Sequence, residues 1–275
     1  MEINNNNKLE SSSYQQRILI TGISGLIGNI LFNYLIKKYS TKYEIFGLDQ
    51  HLNMSIDKFF QCDVTDRIKL HKIIEEQKIN IIIHLAALLE NYPDIEMISH
   101  VNIDGTKNIF EAPGVHRIIY ASTIRTVFGY LNYEPYLSIR KETFNDITML
   151  KNLQKLTISN NPPLPDTQTS GHEVYSQSKI IGEQMAIDIV KNSSKSIICV
   201  RFGWVNIDNQ PGNTWSRTVW LSHRDLCLFI DKVLQAPDNI SGIYFLTSNN
   251  HRRWVDLDDA KRDFDFVPQD GAEKL

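Results

Sequence analysis

Short apolar runs alternate with longer amphipathic stretches along most of this chain. The runs Arg17–Thr21, Glu44–Leu48, Phe59–Cys62, Asn80–His84, Arg117–Ala121 and Ser196–Arg201 are rich in Ile, Val and Phe and carry few charges inside. Strands covered on both faces read this way, because neither side of the sheet meets water. Between them, Leu26–Tyr39, Asp66–Gln77, Ile95–Glu111 and Glu173–Lys191 repeat apolar residues at helical spacing. In the first, Leu26, Ile27, Ile30, Leu31, Tyr34 and Leu35 form one stripe able to cover a sheet. The alternation predicts an α/β fold built on a doubly wound parallel sheet.

Two stretches break the rhythm. Leu131–Ser170 holds Pro135, Pro162, Pro163 and Pro165 among many polar residues, which predicts a surface insertion over about 131–170. The third helical stretch stops at Pro113-Gly114, a pair that cannot continue a helix. From about residue 202 the chain mixes loops, a helix over Arg224–Gln235 and a strand over Ile243–Thr247, read as a small C-terminal substrate cap over the carboxyl edge of the sheet. Residues 1–16, MEINNNNKLESSSYQQ, lack the apolar centre of a secretory signal and read as a disordered Asn-rich tail. Residues 17–275 then form a single domain.

Composition narrows the classes. At 275 residues, 42% hydrophobic and 22% charged, the chain can bury a large core. A net charge of −3 without clustered Lys or Arg gives no reason to expect nucleic acid or an anionic membrane. The most apolar stretch, Ile79–Leu89, is too short to span a bilayer and is interrupted by Asn80 and His84. Cys62, Cys199 and Cys227 are few, odd in number and far apart, which argues against a disulfide framework or a metal site and for a reducing, cytoplasmic setting.

The chemistry gathers at strand ends. Thr21-Gly22-Ile23-Ser24-Gly25-Leu26-Ile27-Gly28 joins the first strand to the first helix. Glycines there allow a tight turn, and the helix N-terminus offers free N–H groups to a pyrophosphate. The spacing is G-x-x-G-x-x-G, with strand before and helix after. Asp49 closes the second strand, where a carboxylate can bind both ribose hydroxyls and repel a 2′-phosphate; this favours NAD over NADP. Asp63 and Val64 follow the third strand, where Asp63 could meet an adenine amino group. Leu85, Ala86 and Ala87 follow the fourth, small enough for close backbone approach, although His84 alone reads as a core histidine. Tyr175 and Lys179, four apart on one predicted helix, share a face. A nearby ammonium stabilises a phenolate, so Tyr175 is a candidate general base. Tyr34 and Lys38 share the spacing, but Tyr34 sits on a face expected to pack against the sheet. Ser122 and Thr123 leave the fifth strand, where a hydroxyl could hold a substrate oxygen.

Taken together, TGISGLIG, LDQ, CDVTD, HLAA, the run Val101–Thr106, YASTIRTVFG, YSQSK and VRFGWV resemble the extended short-chain dehydrogenases/reductases of the NAD-dependent epimerase/dehydratase type, in that family's order from residue 17 to about 205. The resemblance implies a Rossmann-type domain and NAD as cofactor. Gly22, Ser24, Gly25, Leu26, Ile27 and Gly28 would line the pyrophosphate, Asp49 would bind ribose, and Asp63 and Val64 would border adenine. Leu85, Ala86, Ala87, Ser122 and Asn102 would shape the inner cofactor site. Thr123 takes the place of the catalytic Ser/Thr, Tyr175 that of the base, and Lys179 that of the nicotinamide-ribose ligand.

Trp220–Asp225, Gln235-Ala236-Pro237 and Phe266–Asp270 look most like uronate dehydrogenases, which oxidise the anomeric carbon of a hexuronic acid. The family's polar substrate positions fall here on Leu26, Leu89, Ile124 and Trp215, leaving Arg125 and Arg217 as candidate partners for a substrate carboxylate. The implied activity is NAD-dependent oxidation of a CH–OH group in a sugar, sugar acid or similar small alcohol. A sugar-nucleotide epimerase or dehydratase and a catalytically silent NAD-binding sensor are the alternatives. The resemblance also suggests a homodimer through the helices at Ile95–Glu111 and Glu173–Lys191.

Overall fold

The computed structural model describes residues 16–51, 58–143, 153–212 and 215–272. The Asn-rich tail therefore lies outside the described residues, apart from Gln16. Seven parallel strands form one sheet in the order β3-β2-β1-β4-β5-β6-β7. They are β1 (Gln16–Thr21), β2 (Tyr43–Asp49), β3 (Phe59–Gln61), β4 (Ile81–His84), β5 (Arg117–Thr123), β6 (Ser196–Phe202) and β7 (Gly242–Leu246). All six strands expected before residue 202 are present within a residue or two. The strand read in the C-terminal stretch is β7, which pairs with β6 and extends the main sheet.

Strand alternation divides the interior into two cores. Ile18, Ile20, Ile81, Ile83, Ile119, Ile198 and Val200 point to one side. Their neighbours Leu19, Ile82, Ile118, Ile197 and Cys199 point to the other. Successive side chains on a strand face opposite ways, so an unbroken apolar run supplies both layers at once. The first core is closed by α1 (Leu26–Tyr39) and α7 (His223–Gln235). The second is closed by α2 (Arg67–Glu76), α4 (Thr106–Phe110) and α6 (Ser170–Asn192). Burying a Leu, Ile or Phe contributes about 1.5–3 kcal/mol, so these two layers dominate stability. Among the described residues no helix is long and apolar enough to cross a membrane.

The helix expected over Ile95–Glu111 has an internal change of winding. α3 (Ile95–Ser99) passes into a π-helical stretch (His100–Gly105) and then α4. It ends before Pro113 as expected, and Lys195 donates to the carbonyls of Phe110 at 2.8 Å and Ala112 at 2.7 Å. A cation at a helix C-terminus satisfies carbonyls that no later amide can reach.

The proline-rich segment differs in part from its expectation. Part of it, 144–152, lies outside the described residues; the rest runs largely along the surface but anchors several side chains in the first core. Leu131, Tyr136, Ile139 and Leu156 are buried there, Tyr136 on the short helix α5 (Leu137–Arg140) side of Trp254. Leu156 bridges to Val255, with its amide donating to Trp254 O at 2.9 Å and its carbonyl accepting from Asp256 N at 2.8 Å. A last helix, α8 (Asp258–Phe264), packs beneath β7 through the Tyr244 and Phe264 rings. Isolated apolar residues without a helical or strand period give no pattern to read, so the prolines dominated the sequence signal.

Candidate active site

Where β1 enters α1, the backbone is tightly folded. Gly22 has φ +70°, and a Cβ there would stand 2.7 Å from Ala86 N. A Cβ on Gly28 would stand 2.4 Å from Gly22 O, so the helix can sit against the turn only as glycine. Gly25 caps α1 with no side-chain hydrogen bond, and no acidic residue occupies the first turn. First-turn amides of a helix have no intrahelical acceptor and carry partial positive charge, and here they are Leu26 and Ile27. Ser24 Oγ is buried without a partner. An uncapped N-terminus beside an orphaned hydroxyl fits an anionic pyrophosphate.

The other expected cofactor residues surround this loop. Asp49 Oδ2 accepts from Ser24 N at 3.1 Å and Oδ1 from His51 N at 3.2 Å, holding its carboxylate beside the loop at the end of β2. Asp63 Oδ1 accepts from Thr65 N and Oγ1 at 2.9 and 2.8 Å, and buried Val64 packs against Gly105. The Leu85 amide donates to Thr21 O at 3.2 Å and Ala86 N to Thr21 Oγ1 at 3.3 Å, placing the start of Leu85–Ala87 against β1. These positions lie at strand carboxyl ends around the β1/β4 junction, where strand order reverses and open α/β sheets bind ligands.

A second group meets at the end of β5. Thr169 caps α6, its hydroxyl accepting from His172 N at 3.2 Å, and Tyr175 and Lys179 follow on one buried face. The Thr123 hydroxyl lies close enough to Tyr175 to act on its phenol. Burial pushes the Tyr175 phenol up to about 12, helped by the Glu90 charge and opposed by the Thr123 hydroxyl and the Arg125 charge. Lys179 donates to Ala121 O at 2.8 Å. Burial takes its ammonium down to about 7, against a smaller upward pull from Glu183. The expectation that Lys179 lowers the tyrosine's pKa is not met here. Its Nζ lies 5.9 Å from the Tyr175 ring centroid and is bonded to a backbone carbonyl, while desolvation of the phenolate dominates.

The supporting residues sort into two faces. Asn102 is fully buried; its carboxamide accepts from Leu88 N at 2.8 Å and donates to Leu88 O at 2.9 Å and Ser178 Oγ at 3.1 Å. It fixes the loop after β4 and reaches no open space itself. His84 lies within 2.7 Å of Thr21 Oγ1 and 3.2 Å of Thr106 Oγ1, and burial drives its pKa down to about 3. It is a neutral core histidine. Ser122, expected at the cofactor, points the other way from Thr123, as consecutive strand residues must. Its hydroxyl donates to Glu183 Oε1 at 2.6 Å. Arg201 completes that buried cluster with bonds of 2.8 and 2.7 Å to the two Glu183 oxygens.

Of the two expected arginines, Arg125 is already engaged by carboxylates, whereas Arg217 has no acidic partner among the described residues and its Nε is buried without a partner. Arg125 donates to Asp166 at 2.7 Å and to Glu90 at 2.7 Å, so its charge is already matched. Arg217 donates to Ala272 O at 3.2 Å, turned toward the C-terminal segment. Four charged residues thus escaped the sequence reading: Glu90, Asp166, Glu183 and Arg201. Only Glu183 left a signal, four residues beyond Lys179 on the same helix face.

The pattern of the NAD dependent epimerase/dehydratase family matches residues 18–273. L-arabinose 1-dehydrogenase (NAD(P)(+)) from Haloferax volcanii is 22% identical, over 93% of this chain and 97% of its own length. NAD-dependent glucose-6-phosphate dehydrogenase from the same organism is 24% identical, over 94% and 95%. Among solved structures, uronate dehydrogenase from Agrobacterium tumefaciens superposes with a TM-score of 0.75 at 24% identity, covering 94% of this chain and 86% of that one. A match over nearly the whole chain, on a fold with the glycine turn at the strand-order reversal, makes this protein a member of the NAD-dependent epimerase/dehydratase family, with NAD as its cofactor.

Proposed function

We propose that the protein is an NAD-dependent dehydrogenase that oxidises a CH–OH group of a sugar or similar small alcohol. The observation that carries this reading is the buried meeting of Thr123, Tyr175 and Lys179 at the end of β5, near the glycine turn. Similarity to two short sugar dehydrogenases over almost their full lengths supports it.

In this reading Gly22, Ser24, Gly25, Leu26, Ile27 and Gly28 hold the pyrophosphate and Asp49 the adenosine ribose. Asp63 and Val64 border the adenine, and Leu85, Ala86 and Ala87 line the floor. NAD supplies the hydride acceptor. Thr123 holds the substrate hydroxyl, and Tyr175 as phenolate takes its proton, becoming the neutral phenol. Burial disfavours the phenolate, whereas the Thr123 hydroxyl favours it. Lys179, with a pKa near 7, carries a charge that responds to ligands at neutral pH.

NADH formation with a panel of aldoses, uronic acids and polyols tests the proposal. Turnover on one class, lost in Tyr175→Phe, is expected; unchanged turnover in that variant rejects the mechanism. We also infer a homodimer through the outer faces of α3 and α6, supported by exposed Ile95, Ile181 and Ile187. Sedimentation of Ile181→Asp as a monomer beside a dimeric parent is the expected result. The free thiols of Cys62, Cys199 and Cys227 suit a reducing, cytoplasmic setting.

A further inference from the structure

Beside Tyr175 the structure holds a charge cluster with more acid than base. Arg125 lies two residues after Thr123, its amide donating to Thr123 Oγ1 at 3.3 Å. Its guanidinium is shared between Glu90 and Asp166, at 2.7 Å each. Asp166 is almost wholly buried, whereas Glu90 and Arg125 keep about a quarter of their side-chain surface open. Two carboxylates therefore face one guanidinium, and the accessible edge of the cluster includes Glu90.

Glu90 is held close to the reacting groups. Its carbonyl oxygen would lie 2.2 Å from a Cβ on Gly171, one turn before Tyr175 on α6. Its charge is felt at the Tyr175 phenol. Only Oε1 is engaged by Arg125, and Oε2 takes part in none of the hydrogen bonds among the described residues. A carboxylate oxygen is an acceptor with no proton to give, so it pairs with donors such as a hydroxyl and not with another carboxylate.

The cluster rests on buried Phe128. The Arg125 guanidinium stands 5.5 Å from the Phe128 ring centroid, and Trp215 meets Phe128 edge-on at 5.3 Å.

Building on the dehydrogenase reading, we propose that Glu90, paired with Arg125 and Asp166, makes the site selective for an uncharged polyhydroxylated substrate. Glu90 accepts a substrate hydroxyl and excludes carboxylate- and phosphate-bearing sugars. An anion brought to this cluster finds the guanidinium occupied by two carboxylates and the cluster one negative charge in excess, and like charges in a partly desolvated site repel. This separates the chain from any relative whose substrate carries a negative group.

Equilibrium binding to the full chain saturated with NAD, read by tryptophan fluorescence and calorimetry, tests the proposal. The probes are galactose, galacturonate, galactose 6-phosphate and galactosamine. Galactose is expected to bind at least about tenfold tighter than either anion. In Glu90→Gln, with NAD affinity unchanged, that preference is expected to shrink by about tenfold, mainly through tighter binding of galacturonate. The proposal is overturned if an anionic probe binds the parent as well as galactose does, if galactosamine outcompetes galactose, or if galactose does not bind. It is equally overturned if Glu90→Gln retains the full preference. The selectivity with no NADH formed from any bound sugar would instead reject the dehydrogenase reading and leave this one standing.

Discussion

Two tyrosine–lysine pairs, each four residues apart on a helix, have opposite surroundings. On α1, Lys38 donates to Tyr34 Oη at 2.9 Å and to Asp231 at 2.8 Å, with its side chain 43% exposed. The bond to Asp231 raises the lysine above its ordinary range. On the same patch, burial and Asp231 push Tyr39 up to about 12. On α6, no carboxylate bonds Lys179, whose Nζ donates to a carbonyl and stands 5.0 Å from the Tyr120 ring centroid, and burial brings it down to about 7. The spacing puts both residues of each pair on one face. What that face meets decides whether the lysine's proton is locked in place or free to leave near neutral pH.

That contrast can be broken experimentally. Tyr175→Phe is expected to lower kcat by about 10²–10⁴-fold, whereas Tyr34→Phe leaves turnover unchanged. Equal losses would erase the distinction. Next in size, Glu183→Gln strands the Arg201 guanidinium, both partners being only 2% exposed. Urea unfolding should show a loss of about 3–5 kcal/mol, as when one member of a buried pair is removed.

The two lysines should also pull stability differently as pH rises. Lys179 is near 7 in the folded protein against an ordinary 10.5, so the unfolded chain binds the extra proton in that window. Its destabilising contribution is full below about 7 and fades as pH climbs to 10.5. Lys38 is raised, so its stabilising contribution is complete below 10.5 and is lost only as pH rises through its higher folded value. Melting temperatures of Lys179→Met relative to the parent should therefore drift downward from pH 7 to 10, while the Lys38→Met difference stays flat. A flat Lys179→Met difference would show that the amine keeps its proton.

A smaller effect is expected from Glu90→Gln on any uncharged substrate. Removing a charge that raises the Tyr175 pKa should move the acid limb of kcat to lower pH. Smallest of all, Asp231→Asn should change stability by about 1 kcal/mol and leave kcat/KM intact, because Lys38, 43% exposed, keeps much of its hydration even though Asp231 is buried.

Much of this was legible in the chain. The apolar runs announce the strands because burial on both faces leaves few polar positions; Tyr175 and Lys179 share a helix face by their spacing, whereas the choice of Thr123 over Ser122 rests on the family resemblance. Ser122 was readable in principle, since adjacent strand residues diverge, and its partner Glu183 sits at helical spacing from Lys179. The ties of Arg125 were not legible. Glu90 and Asp166 are 35 and 41 residues away and carry no periodicity linking them to Arg125. Long-range ion pairs depend on how loops cross, which local pattern does not encode. The same holds for Leu156, whose partner Val255 is brought to it by the folded core alone.

The π-helical stretch His100–Gly105 sets a phase between two halves of one helix. An α-helix advances about 100° per residue, and a wider turn absorbs one residue without changing what lies beyond it. Before and within the stretch, Asn102 must face Leu88 and Ser178. After it, Thr106 must face His84, and Asn108 must reach Val64 O at 3.0 Å and Thr65 O at 3.2 Å. A single-residue deletion inside 100–105 would give more regular winding but could preserve only one of these two sets of bonds. Asn102 and Gly105 are held in identity by their contacts, and chain length across the whole turn is constrained as well, because a change of length turns every later residue out of phase.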